Sequence, residues 1–133
     1  MSEVERQTNT ARDRRVFGRI GTEHPVKVLD QDGNAHPALA LDISLTGLQL
    51  VCNTVTTREL LPPDAVSGHP RGESLRVQMQ LPLKSGRYSQ VDARCRVVDV
   101  RQDESGYRIG LRYIWFENYT YDDLEKFIDD WLS

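Results

Sequence analysis

Two short strings hold the side chains best suited to chemistry: Arg14-Arg15-Val16-Phe17-Gly18-Arg19 and Asp42-Ile43-Ser44-Leu45-Thr46-Gly47. Each arginine offers a planar, permanently charged fork of donors, which matches phosphate oxygens or the O6/N7 edge of guanine two bonds at a time. An ionised aspartate only accepts hydrogen bonds, so it suits the N1 and N2 donors of the same base. Ser44 adds a small hydroxyl, and Gly47 adds room for close approach where a short strand breaks into a turn. Taken together, these groups suit a guanine nucleotide.

Other chemistries lack their parts. No glycine-rich phosphate loop opens a helix, and neither a nucleophile elbow nor a metal-spaced His/Glu set occurs. Asp42 and Ser44 stand two apart on a strand and share a face, but no histidine is at hand to activate the serine; the pair also reads as a strand end closed by an Asx-type turn. His24, His36 and His69 each precede a proline, which biases them to extended or turn backbone, and all three read as surface loop residues rather than metal ligands. Cys52 and Cys95 sit far apart in apolar, strand-like stretches, as two buried free thiols would. The expectation is a binding protein, not an enzyme, with no metal and no cofactor beyond its ligand.

The charge is distributed unevenly. The net value of -3 hides four arginines against one aspartate from Arg12 to Arg19, and six acids against one lysine from Glu117 to Ser133. A small anionic ligand at the N-terminal end fits this better than a long polyanion, which would meet an acidic body. At 133 residues the chain reads as one domain. The short apolar stretches and the acidic start argue against membrane insertion and a secretory signal, so the expected location is cytoplasmic.

The elements that would position these groups are mostly strands. Residues 1–11 are polar and aperiodic and read as a disordered tail, and 12–22 form the arginine-bearing arm. Period-2 alternation then marks six strands, at His24 to Asp30, Pro37 to Ile43, Gly47 to Cys52, Ser74 to Leu81, Ser89 to Arg101 and Tyr107 to Trp115. In the second, Leu39, Leu41 and Ile43 form the apolar set; in the last, Tyr107, Ile109, Leu111, Tyr113 and Trp115 point inward and Gly110 outward. The parity switch at Val98 predicts a bulge. Asp32-Gly33 and Glu104-Ser105-Gly106 supply turns for antiparallel pairing. The segment from Asn53 to Glu73 is long for a hairpin connection and reads as a functional or mobile loop with at most a helical turn at Leu60 and Leu61. A C-terminal helix over 120–132 starts at Thr120, with Tyr119 and Leu124 as a hydrophobic staple, and carries Leu124, Phe127, Ile128, Trp131 and Leu132 as one apolar stripe that would plug the barrel. The fold class is therefore mainly β: a six-stranded antiparallel β-barrel over 23–116 with a C-terminal α-helix.

With both strings placed on such a barrel, the chain resembles the PilZ domain family, bacterial receptors for the second messenger cyclic di-GMP. The resemblance runs from Arg12 to Trp115. It rests on the Arg-x-x-x-Arg of Arg15 and Arg19, on Asp42-x-Ser44-x-x-Gly47, and on the stretch Tyr107-Arg108-Ile109-Gly110-Leu111-Arg112-Tyr113 as a last barrel strand. It implies that Arg15 and Arg19 clamp phosphates and guanine edges as the arm orders over the ligand. It also implies that Asp42 and Ser44 bond a guanine and its neighbouring backbone, while Gly47 supplies an unobstructed turn. Arg14, just before the motif, implies two stacked ligands per domain. Where some members carry an aromatic stacking platform on the penultimate strand, Arg96 and Asp99 stand here, and Arg96 can stack through its guanidinium plane; Gly110 is a further candidate contact.

The resemblance implies a ligand-switched adaptor that signals to an unidentified downstream protein. Two rival readings share the barrel. One is an interaction module of the same family with weak or no nucleotide binding, against which the intact motif residues stand. The other is a single-strand nucleic-acid binder; the acidic body and the core placement of most Phe and Tyr residues argue against it, so no nucleic-acid partner is expected.

Overall fold

The structure is a computed structural model that describes residues 20–133. The expected tail, and Arg14, Arg15 and Arg19 with it, lie outside the described residues. Six strands form a closed antiparallel barrel: β1 (His24–Leu29), β2 (Ala35–Leu41), β3 (Gly47–Cys52), β4 (Ser74–Pro82), β5 (Tyr88–Asp103) and β6 (Gly106–Phe116). Their order around the barrel is β1-β2-β3-β6-β5-β4. Closure removes the exposed edges an open sheet would present. Between β3 and β4 lie two short helices, α1 (Thr54–Leu60) and α2 (Pro63–Val66), and α3 (Tyr121–Leu132) ends the chain.

Alternation decides which side chains fill the barrel. Val77, Met79 and Leu81 of β4, Val91, Ala93 and Cys95 of β5, and Ile109 and Leu111 of β6 are all buried. Cys52 and Cys95 are free and buried, and burial pushes their thiols up to about 11 and about 12. The predicted bulge is present: β5 shifts register between Val97 and Asp99, which turns Val98 outward.

Several expectations are corrected. In β2 the inward residues are Ala38 and Ala40, not Leu39 and Leu41, which lie half-buried on the outer face opposite Val51 and Gln49. Ile43 is buried nonetheless, because Asp42 adopts a left-handed φ of 53° and resets the parity after β2. A second register shift, between Arg94 and Cys95, expels Ile114 and leaves Trp115 62% exposed rather than inward.

The 53–73 segment is more helical than its prolines and glycines imply. The Asn53 side chain accepts from the Thr56 amide at 2.7 Å and starts α1, while Pro63 opens α2, where a missing N–H costs nothing.

Two of the three histidines are structural rather than loop residues. His24 begins β1, is buried, and meets Phe127 and Trp131 edge-on at 5.5 and 6.5 Å between ring centroids. His36 lies on β2 with its ring nitrogens 2.8 Å from Asp30 and 3.0 Å from Glu59, linking the first turn to α1.

Leu124, Phe127 and Ile128 of α3 are fully buried. The expected staple is absent, since Tyr119 is 91% exposed at a φ of 60°. Thr120 precedes α3 without a side-chain cap; its hydroxyl serves β5 instead.

Candidate functional site

The second string forms a compact turn between β2 and β3. The Ser44 amide donates to the Gly47 carbonyl at 2.9 Å, and the Ser44 hydroxyl oxygen accepts from the Thr46 and Gly47 amides, each at 3.2 Å. That hydroxyl can direct its own proton to the Gly47 carbonyl at 3.1 Å or to Thr46 Oγ1 at 3.2 Å. Ser44 is thus buried and committed to the turn it sits in, which its hydroxyl closes in place of the Asp42 carboxylate that an Asx-type turn would use. Asp42 is the opposite case. Its carboxylate is half-buried and has no hydrogen-bond or ion-pair partner among the described residues. Its left-handed backbone is one that Asp tolerates better than most residues.

Gly47 is fixed by packing. A Cβ there would collide with the carbonyl oxygen of Leu111 on β6, so only glycine lets β3 approach this closely. Between Asp42 and Ser44, Ile43 exchanges two backbone hydrogen bonds with Ile20, at 2.9 and 3.2 Å. Ile20 is itself buried and follows Arg19 directly in sequence. The bridge therefore anchors the residue after the arginine string to the middle of the Asp-x-Ser segment.

The remaining candidates lie on the outer face of β5 and β6. Arg96 is exposed, and its stem passes Gly72, with Cδ 3.5 Å from where a Cβ on that glycine would be. Gly110 pairs with Gln49 on one side and Asp99 on the other. The space above it is partly taken, because its missing Cβ would lie 3.3 Å from Asp99 and 3.6 Å from Val98.

Arg112 is a residue that the sequence reading leaves without a role. It stands in register with Gly47 on β3 and with Arg96 on β5. Its signal was the outward parity of β6, legible only once the pairing partners were known. Concavities of about 820 and 600 Å³ occur elsewhere, and none of these residues lines either one. The candidate site is an open face at the barrel rim. Among the described residues no group of His, Cys, Asp and Glu could hold a metal ion, and no helix is long and apolar enough to cross a membrane.

The PilZ domain family model matches residues 13–130. The chain belongs to the PilZ domain family. The family comprises regulatory receptor and adaptor modules for cyclic di-GMP rather than enzymes. Among solved structures the chain is similar to the Bacillus subtilis inhibitor of motility MotI/DgrA, with a TM-score of 0.62, 18% identity, and coverage of 84% of this chain and 47% of that one. It is also similar to the PilZ domain of CeSA from a cellulose-synthesizing bacterium, with a TM-score of 0.53, 16% identity, and coverage of 86% and 98%. The chain thus spans about half the length of MotI and nearly all of the CeSA domain. Both likenesses concern the fold. No curated protein matches the chain.

Proposed function

We propose that this PilZ domain binds cyclic di-GMP through Arg14, Arg15 and Arg19 together with Asp42, Ser44 and Gly47, and acts as a ligand-switched adaptor for a downstream protein. The observation that carries the reading is the Ile20–Ile43 bridge. It fixes the chain immediately after Arg19 against the residue between Asp42 and Ser44, which supports a site shared by the two motifs. Family membership supplies the ligand class.

The parts fit such a ligand in distinct ways. The Asp42 carboxylate, unclaimed by the described residues, accepts from the N1 and N2 donors of a guanine. Ser44 holds the turn that presents Asp42, and Gly47 keeps that turn seated on β6. The arginines supply charge-assisted bonds to the two phosphates and to guanine edges. Arg14 extends this to two stacked ligands per domain, and Arg96 offers a guanidinium plane for stacking. Binding changes the surface around the barrel rim, which is what a downstream partner would read. No step of this scheme makes or breaks a covalent bond.

Isothermal calorimetry tests it. Cyclic di-GMP should give saturable heat at micromolar concentration, GTP and an oligonucleotide should not, and Arg15→Ala should abolish the heat while leaving the ligand-free thermal midpoint unchanged. A folded protein that gives no heat with cyclic di-GMP overturns the proposal, as does stronger oligonucleotide binding with a steep salt dependence.

A further inference from the structure

We infer that Arg112 is a ligand-contacting residue: with Arg96 it forms a cationic couple beside Gly47 that takes a phosphate of the bound cyclic dinucleotide. This deepens the cyclic di-GMP reading and rests on it. Gly47, Arg112 and Arg96 lie in one register row across β3, β6 and β5. Residues directly opposite in an antiparallel pair have Cβ atoms only about 4.5–5.5 Å apart, and like charges in that position repel.

Apart from Arg58 and Arg87, the other described arginines are handled differently. Arg71, Arg76, Arg94, Arg101 and Arg108 each lie within ion-pair distance of an aspartate or glutamate. Arg94 and Arg101 share β5 with Arg96, and Arg108 shares β6 with Arg112. Arg96 and Arg112 have no acidic partner among the described residues, and both are exposed. A single acid at either position would have relieved the repulsion across the pair.

The described residues around it leave the couple open. Gly47 contributes no side chain at one end of the row, and Gly72 contributes none beside the stem of Arg96. An anion seated between the two forks converts the repulsion into two charge-assisted contacts. A phosphodiester fits the planar bidentate geometry of a guanidinium. The neighbouring turn already holds the Asp42 carboxylate, which selects a ligand carrying both a phosphate and a donor-bearing base.

The test is calorimetric titration of cyclic di-GMP into the wild type, Arg112→Ala, Arg112→Gln and, as control, Arg108→Ala. Both Arg112 variants should bind about tenfold more weakly and with a shallower dependence on salt, while Arg108→Ala should match the wild type. Ligand-free melting of the Arg112 variants should stay at or above the wild-type midpoint, since the repulsion is relieved, and this establishes that they fold. Wild-type affinity in a folded Arg112→Ala or Arg112→Gln overturns the inference and leaves the cyclic di-GMP reading intact. Absence of binding by the wild type removes both.

Discussion

Gly47 and Leu111 approach so closely that a methyl group on the glycine would strike the Leu111 carbonyl oxygen and lie 3.1 Å from its carbon. The last residue of the Asp-x-Ser-x-x-Gly motif is therefore demanded by the barrel itself, through the seating of β3 on β6, whatever else it does for a ligand. Gly47→Ala must push backbone against backbone, which a flexible side chain cannot absorb. The expected cost is about 1–3 kcal/mol, typical of overpacking. Thermal melting without ligand should show a clearly lower midpoint, and an alanine variant that melts with the wild type would refute the packing argument.

Ser44 and Asp42 are expected to separate stability from binding. Removing the buried Ser44 hydroxyl takes the acceptor from the Thr46 and Gly47 amides in a part-buried turn, so Ser44→Ala should cost about 1–3 kcal/mol in urea denaturation. The Asp42 side chain makes no hydrogen bond or ion pair among the described residues, and its backbone is left-handed, which glycine adopts freely. Asp42→Gly should hold ligand-free stability within about 1 kcal/mol, by the entropy cost of glycine alone, while calorimetry shows weakened cyclic di-GMP binding. The reverse pattern would exchange the roles assigned here.

Much of this was legible in the sequence. Alternation in β4 marked Leu75, Val77, Met79 and Leu81 as interior, and all four are buried. The parity break at Val98 marked its bulge. The failures share a cause. In β2, alternating Ala and Leu fit either parity, and hydrophobicity favoured the leucines, whereas the interior takes Ala38 and Ala40. Near the end of β6 the bulge beside Arg94 reverses the parity, and an apolar run such as Tyr113-Ile114-Trp115-Phe116 cannot disclose it. His24 and His36 preceded prolines, which correctly implied extended backbone but said nothing of burial, a property set by where α3 and α1 dock. The candidate site divides likewise: motif spacing singled out Asp42, Ser44 and Gly47 as candidates, whereas the place of Arg112 beside Gly47 depends on cross-strand register, which only the assembled sheet defines.

His24 should give stability a pH dependence of its own. Burial against Phe127 and Trp131 leaves its Nε2 without a partner and lowers its pKa from the ordinary 6.5. The unfolded chain then holds the proton more tightly than the folded one. Between the lowered folded value and 6.5 the unfolded state binds more protons, so stability rises with pH across that window and falls on acidification. Urea midpoints measured from about pH 7 down to about pH 5 should decline less steeply in His24→Phe than in the wild type. His36, with its neighbours Asp30 and Glu59, is common to both proteins, so the difference isolates His24. Parallel profiles would sink the assignment.

Thr120 joins the last helix to the barrel where β6 runs out. The pairing of β5 with β6 ends at Ala93 and Phe116, one residue short of Asp92. There the Thr120 hydroxyl takes over as a substitute strand, accepting from the Asp92 amide and donating to the Asp92 carbonyl, each at 3.1 Å. The Asp92 carboxylate cannot help, because it accepts from Arg76 at 2.8 and 2.7 Å and from Gln78 at 3.2 Å. Thr120→Val keeps the shape and removes both bonds, leaving a part-buried amide and carbonyl unsatisfied at a cost of about 1–3 kcal/mol. Because the lost contact lies between β5 and the start of α3, hydrogen exchange should accelerate at the Asp92 amide and through the first turn of α3, while amides paired between β3 and β6 stay protected. Unchanged exchange at Asp92 in the valine variant would show that this hydroxyl does not hold the helix to the barrel.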